Sequence, residues 1–380
     1  MTTSPSSSTK PLVLDVRVPS QDLSYQVRVG SGLLARLGTE ATRGREPGRA
    51  ALISDTNVIK LYGTVARQSL EAAGLSVITR AVEPGEASKR PEVLLELVGE
   101  LVAAGLGRRD VVVALGGGVV GDLAGLVAAL FMRGIDFIQC PTSLLAQVDA
   151  SVGGKVAVDL PGGKNLLGAF HFPRAVLIDT DVLQTLPDRE LGCGLAEMLK
   201  HGALFSVEHF EQLCEHTEAL YARDPVLLPR LVAISVALKA ACVSRDPLEL
   251  AGGGKGRVVL NLGHTVGHAI EAASGLALRH GEAVGLGLRA AARLSVAKGL
   301  CEPGLEERVV AALTALRLPT ELDPWLHGEQ GEAVQRVLCN DKKRAGATVT
   351  FIGLAGLGEP RTLPLPPAEI LPLLRDASPR

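Results

Sequence analysis

Several residue types and patterns are scarce in this chain of 380 residues, and each scarcity excludes a class of protein. Aromatic residues make up only 3%, so a surface that stacks nucleic-acid bases is not expected. Lys and Arg number 39 against 41 Asp and Glu, whereas a nucleic-acid binder usually carries a clear basic excess. The six cysteines form no CxxC pair, which argues against a sulfur-rich zinc site.

Long apolar runs are also missing. The longest run near the middle of the chain, residues 123–132, is much shorter than the about 20 residues that span a bilayer. The first residues, MTTSPSSSTKP, lack the apolar stretch of a secretory signal, so we expect residues 1–10 to be a disordered lead-in. The sequence therefore predicts a cytoplasmic protein without a membrane partner or a nucleic-acid partner.

The two halves of the chain differ in pattern. In the first half, β-type runs at residues 12–18, 24–29, 50–54, 76–82, 110–115, 136–140 and 175–179 alternate with helical patterns at 58–73 and 88–104. This alternation predicts a mostly parallel sheet flanked by helices, that is, an α/β domain over residues 11–186. The remainder, 187–380, predicts a mostly α-helical domain.

Within that second half we expect helices at 188–204, 207–222, 228–244, 264–274, 282–298 and 305–316. Short β-type runs occur at 258–262 and 347–352. The proline-rich segment 359–380 is expected to be a loose surface element.

Glycine is in excess, at 43 residues, or about 11% against an average near 7%. A predicted strand at 110–115 runs into Gly116, Gly117, Gly118 and Gly121, followed by a helical pattern. Strand, glycine turn and helix is the geometry in which backbone N–H groups face an anion. The alternative is a tight turn without a ligand. The dinucleotide fingerprint itself is absent, because the spacing is not GxGxxG and no acidic residue follows about 20 residues later.

A second pattern combines histidines with one glutamate. His264 and His268 lie four residues apart and share a face of a predicted helix, and His280 precedes another helix. Imidazoles with a carboxylate suit zinc or a similar divalent ion. Glu197 lies among apolar residues on a predicted helix, where a carboxylate needs a partner. The alternative is a surface glutamate with satisfied core histidines, and spacing alone does not choose between His264 and His268 as the ligand.

Candidate cations lie near the other glycine pairs. Lys155 and Lys164 each follow such a pair, where an ammonium can reach a phosphate or a carboxylate. Solvated surface lysines are the alternative, but the surrounding segments are weakly polar rather than runs of charge. Further candidate cations are Arg133, Lys200, Lys239, Arg257 and Lys342.

Together these segments resemble the 3-dehydroquinate synthase family. The stretch from GGGVVGDLAG to SVGGK is followed by GGKNLLGAFHFP, GLAEMLKHG, LNLGHTVGHAIEA and HGEAV, in the family's order, and the likeness covers about residues 12–355. The resemblance implies a Rossmann-like NAD-binding domain, a helical metal-binding domain and a homodimer. The implied activity converts 3-deoxy-D-arabino-heptulosonate 7-phosphate, a sugar phosphate, to 3-dehydroquinate and phosphate, the second step of the shikimate pathway. It would use NAD and one divalent metal, zinc or cobalt.

The resemblance also assigns roles by position. For NAD it implies Asp55, Asn57, Glu86, Lys89, Gly117, Gly118, Val119, Val120, Gly121, Asp122, Thr142, Ser143, Lys155, Lys164, Val182, Leu183, Gln184 and Thr185. For the metal it implies Glu197, His264 and His280. For the substrate it implies Asp149, Lys155, Asn165, Lys200, Lys239, Arg257, Asn261, His268 and Lys342, while Arg133 would reach the neighbouring subunit's site.

One stretch departs from the family and two other functions compete. Residues 251–255 are extra material before Arg257, which makes the match of Asp246 and Lys239 less direct. Another sugar phosphate cyclase or a metal-dependent polyol dehydrogenase would share the scaffold. The dehydroquinate branch is favoured over other cyclases by Asn165, Arg257, Asn261 and His268. A polyol dehydrogenase would not need the polar cluster of Lys155, Asn165, Lys200, Lys239 and Arg257.

Overall fold

A six-stranded parallel sheet forms the first half of the protein. A computed structural model describes residues 23–251, 256–275, 277–345 and 348–377, so the lead-in and the strand expected at 12–18 lie outside the described residues. The described residues of this half contain the strands β1 (Gln26–Gly30), β2 (Arg49–Asp55), β3 (Ser76–Val82), β4 (Val111–Gly116), β5 (Asp136–Pro141), β6 (Lys155–Leu160), β7 (Gly163–Phe170) and β8 (Ala175–Asp179), all of which except β6 and β7 belong to the sheet. The sheet has the order β1-β8-β5-β4-β2-β3, and β6 and β7 form a separate antiparallel hairpin.

The helices α1 (Leu37–Thr42), α2 (Val58–Ala72), α3 (Pro91–Ala103) and α4 (Gly118–Leu130) connect these strands. Every residue of β4 is buried, as expected for a strand covered on both faces. The sheet accordingly lies between two apolar clusters, one containing Ala51 and Val112, the other Leu52 and Val113. Neighbours in sequence thus pack on opposite faces.

The order of the strands reverses between β2 and β4. β3 lies outside β2, and β5 lies outside β4, while Ser54 pairs with Leu115 across the boundary. In open parallel sheets, ligands bind outside the carboxyl ends of the strands at such a reversal. Asp55 ends β2 and Gly116 ends β4, so the loop that begins at Asp55 and the glycine turn that begins at Gly116 meet at this point.

The second half is mainly helical, as predicted. Its elements are α5 (Asp188–Phe205), α6 (Val207–Glu215), α7 (Thr217–Tyr221), α8 (Leu227–Arg245), α9 (His264–Ala273), α10 (His280–Ala297), α11 (Leu305–Ala315), α12 (Gly328–Ala345), β9 (Val349–Gly356), β10 (Glu359–Leu365) and α13 (Pro367–Asp376). The apolar cluster around α5 and α10 extends to Val176 and Ile178 of β8. The two halves therefore share one core, and the boundary at residues 186/187 stays a prediction.

Several local predictions were wrong. The β-type run at 258–262 is a 3₁₀ turn, Arg257–Asn261, and the helix expected at 207–222 is two helices that meet at His216. The segment 359–380 is not loose where it is described, because it forms β10 and α13, whose Ile370, Leu371 and Leu374 are fully buried. The hairpin β6–β7 was missed because β7 is almost wholly exposed and carries no apolar alternation.

Within the described residues, one helix is long and apolar enough to cross a bilayer. This helix, α8, has a mean hydropathy of 1.7. Its buried face includes Leu231 and Val236 of the main core, together with Lys239, which pairs with Asp149. Such packing is typical of a core helix.

The burial of α13 generates a test. Leu371→Ala should lower the free energy of unfolding by about 2–5 kcal/mol, because it removes a fully buried side chain. Denaturant unfolding followed by circular dichroism measures the loss. The matched control is Leu95→Ala, whose side chain is 68% exposed on α3 and which should change stability by less than about 0.5 kcal/mol. Equal effects would mean that the C-terminal helix is not part of the core.

Candidate active site

Three helices bring one carboxylate and three imidazoles together. Glu197 comes from α5, His264 and His268 from α9, and His280 from α10. One nitrogen of each histidine lies within 4.8 Å of the others. Oε1 of the fully buried Glu197 lies 3.4 Å from Nε2 of His264 and 3.4 Å from Nε2 of His280.

Glycines allow these helices to approach at backbone distance. A Cβ at Gly287 of α10 would lie 1.9 Å from the Gly263 carbonyl oxygen, next to the start of α9. A Cβ at Gly281 would lie 2.3 Å from the Cα of Cys193 in α5. No other residue fits at these two positions without moving a helix, so the glycines fix the distances between the carboxylate and the imidazoles.

The outer nitrogens of two imidazoles are already bonded. The Nδ1 of His264 lies 3.1 Å from the Leu262 carbonyl oxygen, and the Nδ1 of His280 lies 2.9 Å from Oε2 of Glu271. Both acceptors require a proton on Nδ1, and the Nε2 atoms of both rings face Glu197. This is the arrangement by which proteins orient histidine ligands to a metal ion.

The charge of Glu197 is held by its neighbours. Burial alone would raise the pKa of Glu197, but Lys200, 2.6 Å from Oε2, and His264 hold it well below the usual range. Neither oxygen receives a hydrogen bond of regular geometry from the described residues. A buried carboxylate and two imidazoles whose Nε2 atoms face it form a donor set that fits a divalent ion such as zinc or cobalt, which would take the place of any proton on Nε2.

His280 and His268 differ in protonation. Burial opposes a charge on His280, yet Glu197 and Glu271 raise its pKa to about 9. Burial and the neighbouring His264 and His280 lower the pKa of His268 to about 3. His268 therefore presents a neutral ring beside the cluster, available as a hydrogen-bonding group.

A second polar cluster lies beside Glu197. A π-helical turn, Ala146–Ala150, carries Asp149, whose Oδ1 lies 2.7 Å from Nζ of Lys239 and 3.5 Å from Nζ of Lys200. Burial would raise the pKa of Asp149, but the two ammonium groups hold it well below its usual range. Two lysines thus share the Asp149 carboxylate, and Lys200 also pairs with Glu197, so the cluster presents buried ammonium groups held by carboxylates.

The remaining substrate candidates surround this cluster. Arg257 is buried and its Nη1 donates to the Gly153 carbonyl oxygen at 2.8 Å. Lys155 forms an ion pair with Glu249, Asn261 is exposed, and the ring of His268 packs against those of His264 and His280. The side chain of Lys342 lies outside the part of the chain that the structure describes.

The candidate NAD residues line one edge of the sheet. Asp55 ends β2 and Asn57 comes after it, Glu86 and Lys89 follow β3, Gly117–Asp122 follow β4, Thr142 and Ser143 follow β5, and Val182–Thr185 follow β8. The first N–H groups of α4 have no partner within the helix and face this edge. The edge therefore fits a dinucleotide whose phosphates approach the glycine turn.

Lys89 joins the loops of this edge. Its Nζ lies 2.6 Å from Oδ2 of Asp122 and also donates to Oδ1 of Asn165. Asn165 and Lys164 belong to β7, and Lys155 opens β6, so the hairpin lies over the edge. The two glycine–lysine segments of the sequence are thus the two strands of one hairpin.

Arg133 is the candidate that the chain does not bring to this site. It is exposed at the end of the turn Phe131–Arg133, and it lines a surface groove with Arg45, Arg108 and Arg174. An exposed arginine away from its own histidine cluster is available to a second subunit.

Sequence reasoning missed two neighbours of the site. Glu271 binds both His280 and Lys164, and His201, fully buried, lies 3.5 Å from Asp149 through Nε2 and 2.8 Å from the Ser235 hydroxyl through Nδ1. The signal for Glu271 was present, because it lies three residues after His268 on the same helical face. The signal for His201 was weaker, since its partners come from distant segments.

Comparison with known proteins identifies the family. The "3-dehydroquinate synthase N-terminal" family matches residues 79–193, and the "3-dehydroquinate synthase C-terminal" family matches residues 194–344. The 3-dehydroquinate synthase of Caulobacter vibrioides is 46% identical over 353 residues, 92% of this chain and 94% of the relative. The chain belongs to the 3-dehydroquinate synthase family. A second synthase of this name, from Symbiobacterium thermophilum, is 44% identical over 93% of this chain and 95% of its own length.

Solved structures show the wider group of 3-dehydroquinate synthase-like folds. A 2-deoxy-scyllo-inosose synthase complexed with carbaglucose-6-phosphate, NAD⁺ and Co²⁺ has a TM-score of 0.80, with 26% identity over 93% of this chain and 96% of that one. A 2-epi-5-epi-valiolone synthase from Streptomyces hygroscopicus with NAD⁺ and Zn²⁺ has a TM-score of 0.82, with 26% identity over 95% and 99%. A glycerol dehydrogenase from Schizosaccharomyces pombe, at 18% identity and a TM-score of 0.64, shares the fold.

The donor set predicts the effect of removing one charge. Glu197→Gln should weaken Zn²⁺ binding by about 100-fold or more, beyond the ~10–100-fold typical for loss of an outer partner of a metal ligand. Competition with a chromophoric chelator measures the affinity. The control is Glu190→Gln on the same helix, whose side chain is 41% exposed and pairs with Arg279. Wild-type affinity in Glu197→Gln would remove Glu197 from the metal site.

Proposed function

We propose that this protein is a 3-dehydroquinate synthase that converts 3-deoxy-D-arabino-heptulosonate 7-phosphate to 3-dehydroquinate and phosphate. The observation that carries the proposal is the buried Glu197 facing two Nε2 atoms, with the Asp149–lysine cluster on one side and the carboxyl edge of the sheet on the other. That arrangement supports one site for a metal ion, a dinucleotide and an acidic substrate. The enzyme is a carbon–oxygen lyase.

The residues divide the work of binding. Glu197, His264 and His280 would hold the divalent ion, and the edge from Asp55 to Thr185 would hold NAD. When bound, NAD supplies a hydride acceptor that is restored in each turnover, and the metal supplies a Lewis acid beside the substrate hydroxyls. Everything else the reaction needs from the protein is orientation and charge.

The positive side chains suit the two acidic ends of the substrate. Lys239 and Arg257, both buried, would bind the carboxylate, because buried cations bind anions strongly when water is excluded. Lys155, Asn165, His268 and Lys342 would bind the phosphate, and Lys155 would exchange Glu249 for it. Asp149 contacts both Lys200 and Lys239 and so fixes the positions of the two ammonium groups.

The substrate phosphate would accept a proton in its own elimination. Lys200 is not an obvious base, since Asp149 and Glu197 raise its pKa even though burial opposes its charge. Lys239, whose pKa burial lowers, is assigned to the substrate carboxylate rather than to the phosphate. A neutral His268 would donate or accept a hydrogen bond at the phosphate. We infer that the protein binds the leaving group and leaves this proton transfer to the substrate.

Three further statements belong to the same proposal. The protein would be a homodimer in which Arg133 completes the partner's phosphate site, and it would be cytoplasmic, without membrane or nucleic-acid partners. Residues 11–186 and 187–380 would act as the NAD-binding and the metal-binding domain. The exposed position of Arg133 in an arginine-lined groove supports the first statement.

An assay of the purified protein tests the activity. With the heptulosonate phosphate and NAD well below the substrate concentration, phosphate should be released without net NADH, and a chelator should abolish the release. Accumulation of NADH from glycerol would instead indicate a polyol dehydrogenase. Turnover of sedoheptulose 7-phosphate alone would indicate another sugar phosphate cyclase.

Mixing two inactive variants tests the role of Arg133. In a 1:1 mixture of Glu197→Gln and Arg133→Ala, re-equilibrated as dimers, half of the dimers are mixed and each has one intact site. Phosphate release should therefore return to about a quarter of the wild-type rate, as two-fold symmetry requires. A mixture as inactive as its components would show that Arg133 acts within its own subunit. Wild-type activity of Arg133→Ala alone would show that Arg133 has no role in the site.

A further inference from the structure

Glu271 contacts both halves of the active site at once. Its side chain, on α9, is 10% exposed, and its two oxygens have different partners. Oε2 lies 2.9 Å from Nδ1 of His280 on α10, and Oε1 lies 2.6 Å from Nζ of Lys164 on β7. A carboxylate used at both oxygens, by groups 9 and 107 residues away, is fixed in position.

The contact with His280 acts on the metal site. The Nδ1–H of His280 donates to the Glu271 carboxylate, which fixes the orientation of the ring so that its Nε2 faces Glu197. Because α9 and α10 touch through their backbones at Gly263 and Gly287, the helices that carry Glu271 and His280 are held close together. The hydrogen bond is therefore present before any ion binds, and it orients the ligand.

The contact with Lys164 acts on the hairpin β6–β7. Most side chains of β7 are exposed, so the hairpin has little apolar anchorage along that strand. Two side-chain contacts hold its tip, the bond from Lys89 to Asn165 and the ion pair from Lys164 to Glu271, beside the backbone hydrogen bond from Asp159 to the Lys89 carbonyl oxygen. The first joins the hairpin to the sheet edge, and the second joins it to the helices of the metal site.

We propose that Glu271 is a positioning residue that orients His280 for the metal ion and, through Lys164, anchors the NAD-side hairpin to the metal site. The inference rests on the proposed function, because it takes His280 as a metal ligand and Lys164 as a cofactor residue. Its consequence is that one side chain affects the affinities for two different ligands.

Two variants separate the two contacts. Glu271→Ala removes both, and it should weaken Zn²⁺ binding by about 10–100-fold, as loss of a ligand's outer partner does. It should also weaken NAD binding to the metal-free protein by about 2- to 5-fold, the size expected from a half-exposed ion pair. Glu271→Gln keeps an acceptor for His280 but no charge for Lys164, so it should keep most of the Zn²⁺ affinity and lose the same NAD affinity.

The control variant is Glu40→Ala. Glu40 has a side chain 9% exposed and also pairs with two cations, Arg28 and Arg43, but it lies on α1 away from the site. Chelator competition measures Zn²⁺ affinity, and calorimetric titration of the metal-free protein measures NAD affinity. Both affinities should stay at the wild-type level in Glu40→Ala.

The outcomes distinguish this inference from the function itself. Wild-type Zn²⁺ affinity in Glu271→Ala overturns the inference, as does a loss of Zn²⁺ affinity with unchanged NAD affinity. If Glu271→Ala does not fold, Glu271→Gln decides alone: unchanged NAD affinity overturns the link to Lys164. Wild-type Zn²⁺ affinity in Glu197→Gln would instead contradict the proposed metal site.

Discussion

The active site depends on one buried negative charge, that of Glu197. A carboxylate fully removed from water is costly unless cations surround it, and this one lies against Lys200 and two imidazoles. Lys200 is in turn stabilised by the carboxylate of Asp149, and Asp149 is stabilised by the ammonium group of Lys239. The site is thus a chain of mutually neutralising groups that starts at Glu197, and a divalent ion would take the place at its open side.

Such a chain requires precise backbone positions, and glycine supplies them. Gly281 and Gly287 allow α10 to touch both α5 and the start of α9, which places His280 and His264 at the same distance from Glu197. The glycine excess that marks the composition therefore has two uses, the turn before α4 and the helix contacts at the metal site. Only the first of these was visible as a cluster in the sequence.

Patterns of local periodicity predicted the fold class, because β4 and α2 are recognisable from their own residues. The hairpin β6–β7 and the helix α13 were not predicted. β7 lacks apolar alternation, and the prolines of α13 favoured a loop over a helix. For the site, the residue types and the family resemblance proposed Glu197, His264 and His280, and the fold brings these three together. Glu271 and His201 were not predicted, because each contacts the site through a residue that is distant in sequence, Lys164 and Asp149 respectively.

The central claim is that Glu197, His264 and His280 hold the metal ion while His268 stays free for the substrate. Anomalous diffraction from crystals grown with Zn²⁺ tests this most directly. The account predicts one strong peak at about 2.0–2.2 Å from a carboxylate oxygen of Glu197 and from Nε2 of both other ligands. A peak bound by His268 in place of either histidine, or one between Asp149 and His201, would contradict it.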